Sequence, residues 1–167
     1  MSVNKPLVTL GMKRTTKQPP GSGLCLAAAV ATLLGENRAA FNAWSLSGYI
    51  KKMPDDLSPD LKGDRRYMEW SDATIVLALR GLRLGSWWNS GDDLEVKFDA
   101  VADYSVRHQL DESPALVTVR GDDDSPDTHA VVYDNELQMI RDPSSTVEDL
   151  CPLSDYFVVD WFPVDRF

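Results

Sequence analysis

Apolar residues occupy almost every position from Leu24 to Leu34, a run of strong helix formers closed by Gly35 and preceded by the structure-breaking segment Pro19-Pro20-Gly21-Ser22-Gly23. This pattern predicts a helix that starts near Cys25. Because its apolar positions run nearly all the way round, the helix is expected to be central, enclosed by the rest of the domain. Mixed apolar and polar stretches predict further helices at about Ala39 to Lys52, at Ser71 to Leu82 with Ser71 as N-cap, and at Asp99 to Asp111, while Pro54 to Gly63 reads as loop. From Pro114 onward the period changes. Ala115 to Val119, His129 to Tyr133, Leu137 to Arg141 and Tyr156 to Phe162 carry the β-branched and aromatic alternation of strands.

Helices thus come first and strands second, and the later connections are too short for crossover helices. The expected fold class is α+β, with the Cys-bearing helix packed on a mostly antiparallel C-terminal sheet. A length of 167 residues with 43% hydrophobic content suits one domain covering residues 1–167. No internal repeat or low-complexity tract divides it.

Charge and cysteine content narrow the function classes. With 26 acidic against 17 basic residues, the formal charge of -9 disfavours nucleic acid and anionic lipid as partners. A basic peptide or protein substrate suits the same field. No apolar run approaches the length of a membrane-crossing helix, and Met1 to Pro6 lacks the basic start of a secretory signal, so no membrane insertion and a cytoplasmic location are expected. In a reducing compartment Cys25 and Cys151 would stay unpaired.

A cysteine at a helix start has a chemical meaning. Unpaired amide groups and the positive end of the helix dipole stabilise the thiolate, which is the form that attacks a carbonyl carbon. Taken alone, Cys25 reads more readily as a small buried hydrophobe. The segment from Thr128 to Pro143 supplies context, because it reads as a hairpin. If Asn135-Glu136 forms its tip, His129 lies directly across from Asp142, Val131 across from Ile140 and Tyr133 across from Gln138. The carboxylate would then bind one imidazole nitrogen and leave the other for a nucleophile. A helix-start Cys, a strand-start His and an Asp beside it form the directed set nucleophile, base and orienter.

Cys25, His129 and Asp142 in that chain order, with Gln18 ahead of the Cys, His129-Ala130-Val131-Val132-Tyr133 and then Arg141-Asp142-Pro143, resemble the papain-like cysteine peptidase superfamily. Within it the likeness is to the bacteriocin-processing, double-glycine-leader peptidases and their stand-alone relatives. The resemblance spans about Gln18 to Pro143. It implies a papain-like fold, a Cys-His-Asp triad, no cofactor and no metal, and an oxyanion hole with Gln18 as side-chain donor and the Cys25 amide as second donor. Two positions depart from the family pattern: Gln18 stands seven residues before Cys25 where six is usual, and Leu26 takes the place of a glycine. A one-residue bulge in Pro19 to Gly23 would reconcile the spacing.

The expected function is therefore a cysteine hydrolase that cleaves a peptide or isopeptide bond through a thioester. The alternatives are an acyltransferase with the same triad, or an inactive papain-like binding or inhibitor protein. Trp87 and Trp88 receive no role, His108 reads as solvated, and Asp122-Asp123-Asp124 with Asp127 reads as a solvated loop.

Overall fold

The computed structural model describes residues 8–54, 65–85, 88–89, 96–97, 110–120 and 128–167. In chain order the elements are α1 (Cys25–Leu34), α2 (Ala39–Leu46), β1 (Lys51–Lys52), β2 (Arg66–Tyr67), α3 (Trp70–Leu79), β3 (Leu82–Leu84), β4 (Trp88–Asn89), β5 (Val96–Lys97), β6 (Ala115–Arg120), β7 (Thr128–Asp134), β8 (Met139–Arg141), a single 3₁₀ turn (Leu153–Asp155) and β9 (Phe157–Arg166). β1 and β2 make a small antiparallel pair. The main sheet is antiparallel in the order β3-β9-β6-β7-β8, with β4 and β5 also paired to the long β9. The class is mixed α+β.

The helix expected at Cys25 forms with the expected start and stop. Gly35 takes a left-handed conformation (φ 69°) that lets its own amide reach the Thr32 carbonyl and the Glu36 amide reach the Ala31 carbonyl, capping the last turn. Every residue from Leu26 to Leu33 is buried, so the helix is enclosed as its all-apolar pattern required. Thr32 is tolerated there because its hydroxyl donates to the Ala28 carbonyl and accepts from the Thr16 amide. α1 packs on β7 and on α3.

Successive residues of the central strands point to opposite faces, and both faces are buried. Leu116, Ala130 and Val132 join the core under α1, whereas Val117, Val119, Val131, Tyr133 and Ile140 join a second core with Trp161 on the opposite face. Both faces of the sheet are therefore covered, which explains why β6 is apolar from Ala115 to Val119 except at Thr118, whose hydroxyl donates to Asp160. α2 ends six residues earlier than expected, since the chain turns through Gly48 (φ 83°) and enters β1. α3 starts at Trp70, and Ser71 makes no cap bond; Glu69 holds the N-cap position. The expected loop from Pro54 to Gly63 lies almost wholly outside the described residues, as does the Asp99 to Asp111 helix apart from its last two positions.

One expectation about the hairpin is corrected. β7 and β8 pair Val132 with Arg141, Tyr133 with Ile140 and Asp134 with Met139, so Val131 does not face Ile140 and Tyr133 does not face Gln138. The tip is the four-residue turn Asn135 to Gln138 instead of Asn135-Glu136 alone. Its chemistry explains this: Asp134 Oδ1 accepts from the Glu136 and Leu137 amides, and Gln138 adopts φ 55° to close the turn. The other Asp134 oxygen accepts from Arg141 Nε at 2.9 Å, with both side chains 4% exposed, while the Arg141 guanidinium also donates to the Met12 carbonyl. This buried pair locks the turn.

Because removal of one partner leaves an uncompensated buried charge on Asp134, Arg141→Met is expected to cost about 3–5 kcal/mol. Urea unfolding followed by circular dichroism reads this out. A loss below about 1 kcal/mol would show that the Asp134 carboxylate finds water when Arg141 is gone.

Candidate active site

A register shift of two residues preserves the face on which every side chain stands. His129 and Asp142 are consequently diagonal neighbours on one face and not directly opposed, and their side chains still meet: His129 Nε2 lies 2.6 Å from Asp142 Oδ1. The carboxylate is itself held. Oδ1 also accepts from the Ser144 amide at 2.9 Å, and Oδ2 accepts from the Tyr156 hydroxyl at 2.7 Å. Asp142 is buried, whereas the His129 side chain keeps 23% of its surface exposed, so the imidazole remains open to solvent on one side.

Cys25 approaches where the sheet leaves room. β8 pairs with β7 only over Val132 to Asp134, so the first residues of β7 have no β8 neighbour, and the α1 start lies there. The Cys25 thiol interacts with the His129 imidazole and with the backbone amides of Ala130 and Leu26. With Nε2 given to Asp142, Nδ1 is the ring nitrogen left for the thiol. Leu24, which precedes the helix, offers no side-chain cap, so the α1 amides are not neutralised by a neighbouring side chain.

The electrostatics follow from these contacts. Burial alone pushes the Cys25 thiol up, but the His129 hydrogen bond and charge, with the Ala130 and Leu26 amides, overcome it and hold the thiol below its ordinary value of 9.0. Burial pulls His129 down, and the Asp142 and Cys25 hydrogen bonds and charges outweigh it, raising the imidazole to about 10. Asp142 is likewise disfavoured as an anion by burial, yet His129, Tyr156 and the Ser144 amide hold it below the usual carboxylate range. The three shifts share one sense: each of the three groups favours the charged form of its neighbour.

Gln18 sits at the edge of this group. Its carboxamide Nε2 donates to the Ser22 carbonyl at 3.0 Å within the loop leading to Cys25, and Oε1 is buried with no partner among the described residues. Its backbone amide donates to the Pro143 carbonyl at 2.8 Å, tying it to the residue after Asp142. The structure thus brings His129 beside both Cys25 and Asp142, and places Gln18 on the segment leading to Cys25, tied to the residue after Asp142. Trp87, His108, Asp122 to Asp124 and Asp127 lie outside the described residues, and Trp88 appears as β4 backbone paired with Trp161.

Sequence reasoning missed Tyr156. Its link to Asp142 depends on the course of the loop between β8 and the 3₁₀ turn, for which short motifs carry no signal. The same loop brings in Cys151, which forms a bridge with Ile140 and hydrogen-bonds the Tyr156 hydroxyl. Burial first, then Cys151 and Asp142, raises Tyr156 well above its ordinary value, so it stays a neutral donor. Both cysteines are free thiols.

No family model, curated protein or solved structure matches the chain. The reading of the site rests on its own geometry. Among the described residues no helix is long and apolar enough to cross a membrane.

Proposed function

We propose that this chain is a papain-like cysteine hydrolase that cleaves a peptide or isopeptide bond, with Cys25 as nucleophile, His129 as acid and base, and Asp142 as orienter. The observation that carries this reading is His129, which lies between a helix-start thiol and a buried carboxylate, 2.6 Å from the carboxylate, and lowers the thiol below its ordinary value. A structural histidine in a sheet needs neither partner to be reactive. Here both neighbours favour the protonated imidazole, and the ring can take that one proton from the thiol.

The steps balance as follows. The Cys25 sulfur forms a bond to the carbonyl carbon, and the oxyanion is received by the Cys25 amide and by Gln18, whose carboxamide has a second N–H beyond the one taken by Ser22. His129 passes its proton to the leaving amine as the C–N bond breaks, leaving a thioester. Water then gives a proton back to His129 and attacks the thioester. Carboxylic acid departs, and the thiolate–imidazolium pair is restored. The net acidic surface favours basic peptides as substrates, and the free thiols suit a reducing cytoplasm.

The test is a degenerate peptide library incubated with wild type and with Cys25→Ala, with and without an added primary amine. New carboxyl ends made only by wild type support hydrolysis. Amides of the added amine would make it an acyltransferase with the same residues. An unchanged library, with Cys25 alkylated no faster than Cys151, would leave a binding protein.

The paired shifts also set a pH profile. Turnover is expected to fall on the acid side as the thiolate takes a proton below the ordinary thiol range, and on the alkaline side as His129 loses its proton near pH 10. A profile whose alkaline limb lies near pH 6.5, the ordinary value of His129, would show that Asp142 and Cys25 do not stabilise the imidazolium.

A further inference from the structure

The segment before Cys25 and the loop after Asp142 are joined by one unusual contact. Lys17 Nζ donates to four backbone carbonyls of that loop, Asp142 at 2.7 Å, Ser144 at 3.1 Å, Val147 at 2.9 Å and Glu148 at 2.9 Å, with Asp149 Oδ1 at 3.9 Å. An ammonium has three N–H groups, so four carbonyl dipoles converging on it form a shell of the kind that surrounds a bare cation. The side chain is only 20% exposed. An exposed lysine in search of water would not be folded inward over a loop in this way.

Flanking bonds show what the contact joins. Thr15 Oγ1 donates to the Asp149 carbonyl, and the Gln18 amide donates to the Pro143 carbonyl, so residues 15–18 run along the whole 142–149 loop. On their other side Arg38, the N-cap residue of α2, donates to the carbonyls of Lys17 and Gln18. Residues 15–18 are therefore held between the helical layer, which carries Cys25, and the loop, which carries Asp142. A loop of this length with Ser144, Thr146 and Gly-free turns has no regular structure of its own to fix the Asp142 backbone. The ammonium supplies that fixation at its centre.

We infer that Lys17 is a positioning residue, an internal cation that fixes the Asp142 backbone so that its carboxylate meets His129 and keeps the imidazole turned toward Cys25. The inference rests on the proposed triad. Its chemistry makes a distinctive demand: the missing group should be replaceable by a free cation with N–H donors. Lys17→Ala removes the atoms beyond Cβ, which correspond to n-propylammonium.

The experiment measures alkylation of Cys25 and Cys151 by iodoacetamide, resolved by peptide mass spectrometry, together with hydrogen exchange at the Ser144 amide. Wild type, Lys17→Met, Lys17→Ala and Lys17→Gln are compared. Lys17→Met is expected to slow Cys25 alkylation by about tenfold or more and to expose the Ser144 amide, leaving Cys151 nearly unchanged. n-Propylammonium chloride should restore Lys17→Ala, whereas tetramethylammonium chloride, which carries the charge without N–H groups, should not. If Lys17→Met fails to fold, Lys17→Gln, which donates without charge, decides by the same two readings. Wild-type rates and Ser144 protection in the folded variants would overturn the inference, and so would a loss that propylammonium leaves untouched. Slow Cys25 alkylation in wild type would instead refute the triad reading, and Ser144 protection alone would then judge the strut.

Discussion

Under the proposed function, Cys25→Ala is expected to reduce turnover by at least about 10⁴-fold, because it removes the nucleophile and leaves a residual rate from binding and oxyanion donors alone. The fold should be little affected. Cys25 is half-buried at the first residue of α1, and the helix is anchored by the eight fully enclosed residues that follow it, so losing one sulfur removes few packing contacts. A melting temperature within a few degrees of wild type is the control that separates lost chemistry from lost structure. The comparison is Cys151→Ala. The Cys151 side chain touches Tyr156 and not His129 or Asp142, and its removal leaves the Tyr156 hydroxyl free to keep its bond to Asp142, so at most about a tenfold loss is expected. Equal losses in the two variants would show that the assigned nucleophile is wrong.

How much of this was readable beforehand can be argued from particular residues. α1 was legible from start to end because three independent signals agree there: an apolar run, good helix formers and a glycine able to adopt φ 69°. The proximity of His129 and Asp142 was legible although the register was not. An error of two residues in a hairpin leaves each side chain on its own face, while an error of one would have placed Asp142 on the α1 side. What set the true register was the Asp134 side chain, which folds back on the Glu136 and Leu137 amides and also pairs with Arg141. An aspartate next to a turn was visible in the sequence. That it would be buried with an arginine seven positions on was not, since pairing across a turn depends on the register it helps to fix.

The supporting residues were less legible for a different reason. Tyr156, Lys17 and Ser144 act through contacts made by a loop without regular period, and no pattern of spacing predicts where such a loop lies. α2 shows the opposite failure. Its helical pattern continued to Lys52, but the chain exits at Gly48 because Lys51 and Lys52 are taken by pairing with β2, and tertiary pairing outweighs local preference.

Asp142→Asn and Asp142→Ala are expected to differ, and the contacts around the carboxylate say by how much. The Ser144 amide can only donate, so the oxygen of an asparagine must occupy the Oδ1 position, where it still accepts from His129 Nε2. The amide nitrogen then takes the Oδ2 position and faces Tyr156, whose hydroxyl can turn to accept. Orientation and tautomer of His129 survive. What is lost is the negative charge that stabilises the imidazolium and, through it, the Cys25 thiolate, so Asp142→Asn should lower turnover on the order of 10²-fold and move the alkaline limb down from near pH 10. Asp142→Ala loses both charge and acceptor. The imidazole can then rotate away from Cys25, and the loss should reach about 10³- to 10⁴-fold, still less than removal of the nucleophile. Adding Tyr156→Phe to Asp142→Asn supplies the decisive contrast: the amide nitrogen now meets an apolar ring, the preference for the correct carboxamide orientation weakens, and turnover should drop toward that of Asp142→Ala. Steady-state turnover beside the melting temperature of each variant gives the answer. If Asp142→Asn and Asp142→Ala fall equally, or if folded Asp142→Ala keeps wild-type turnover, then Asp142 does not orient the base, and His129 must be held by another acceptor.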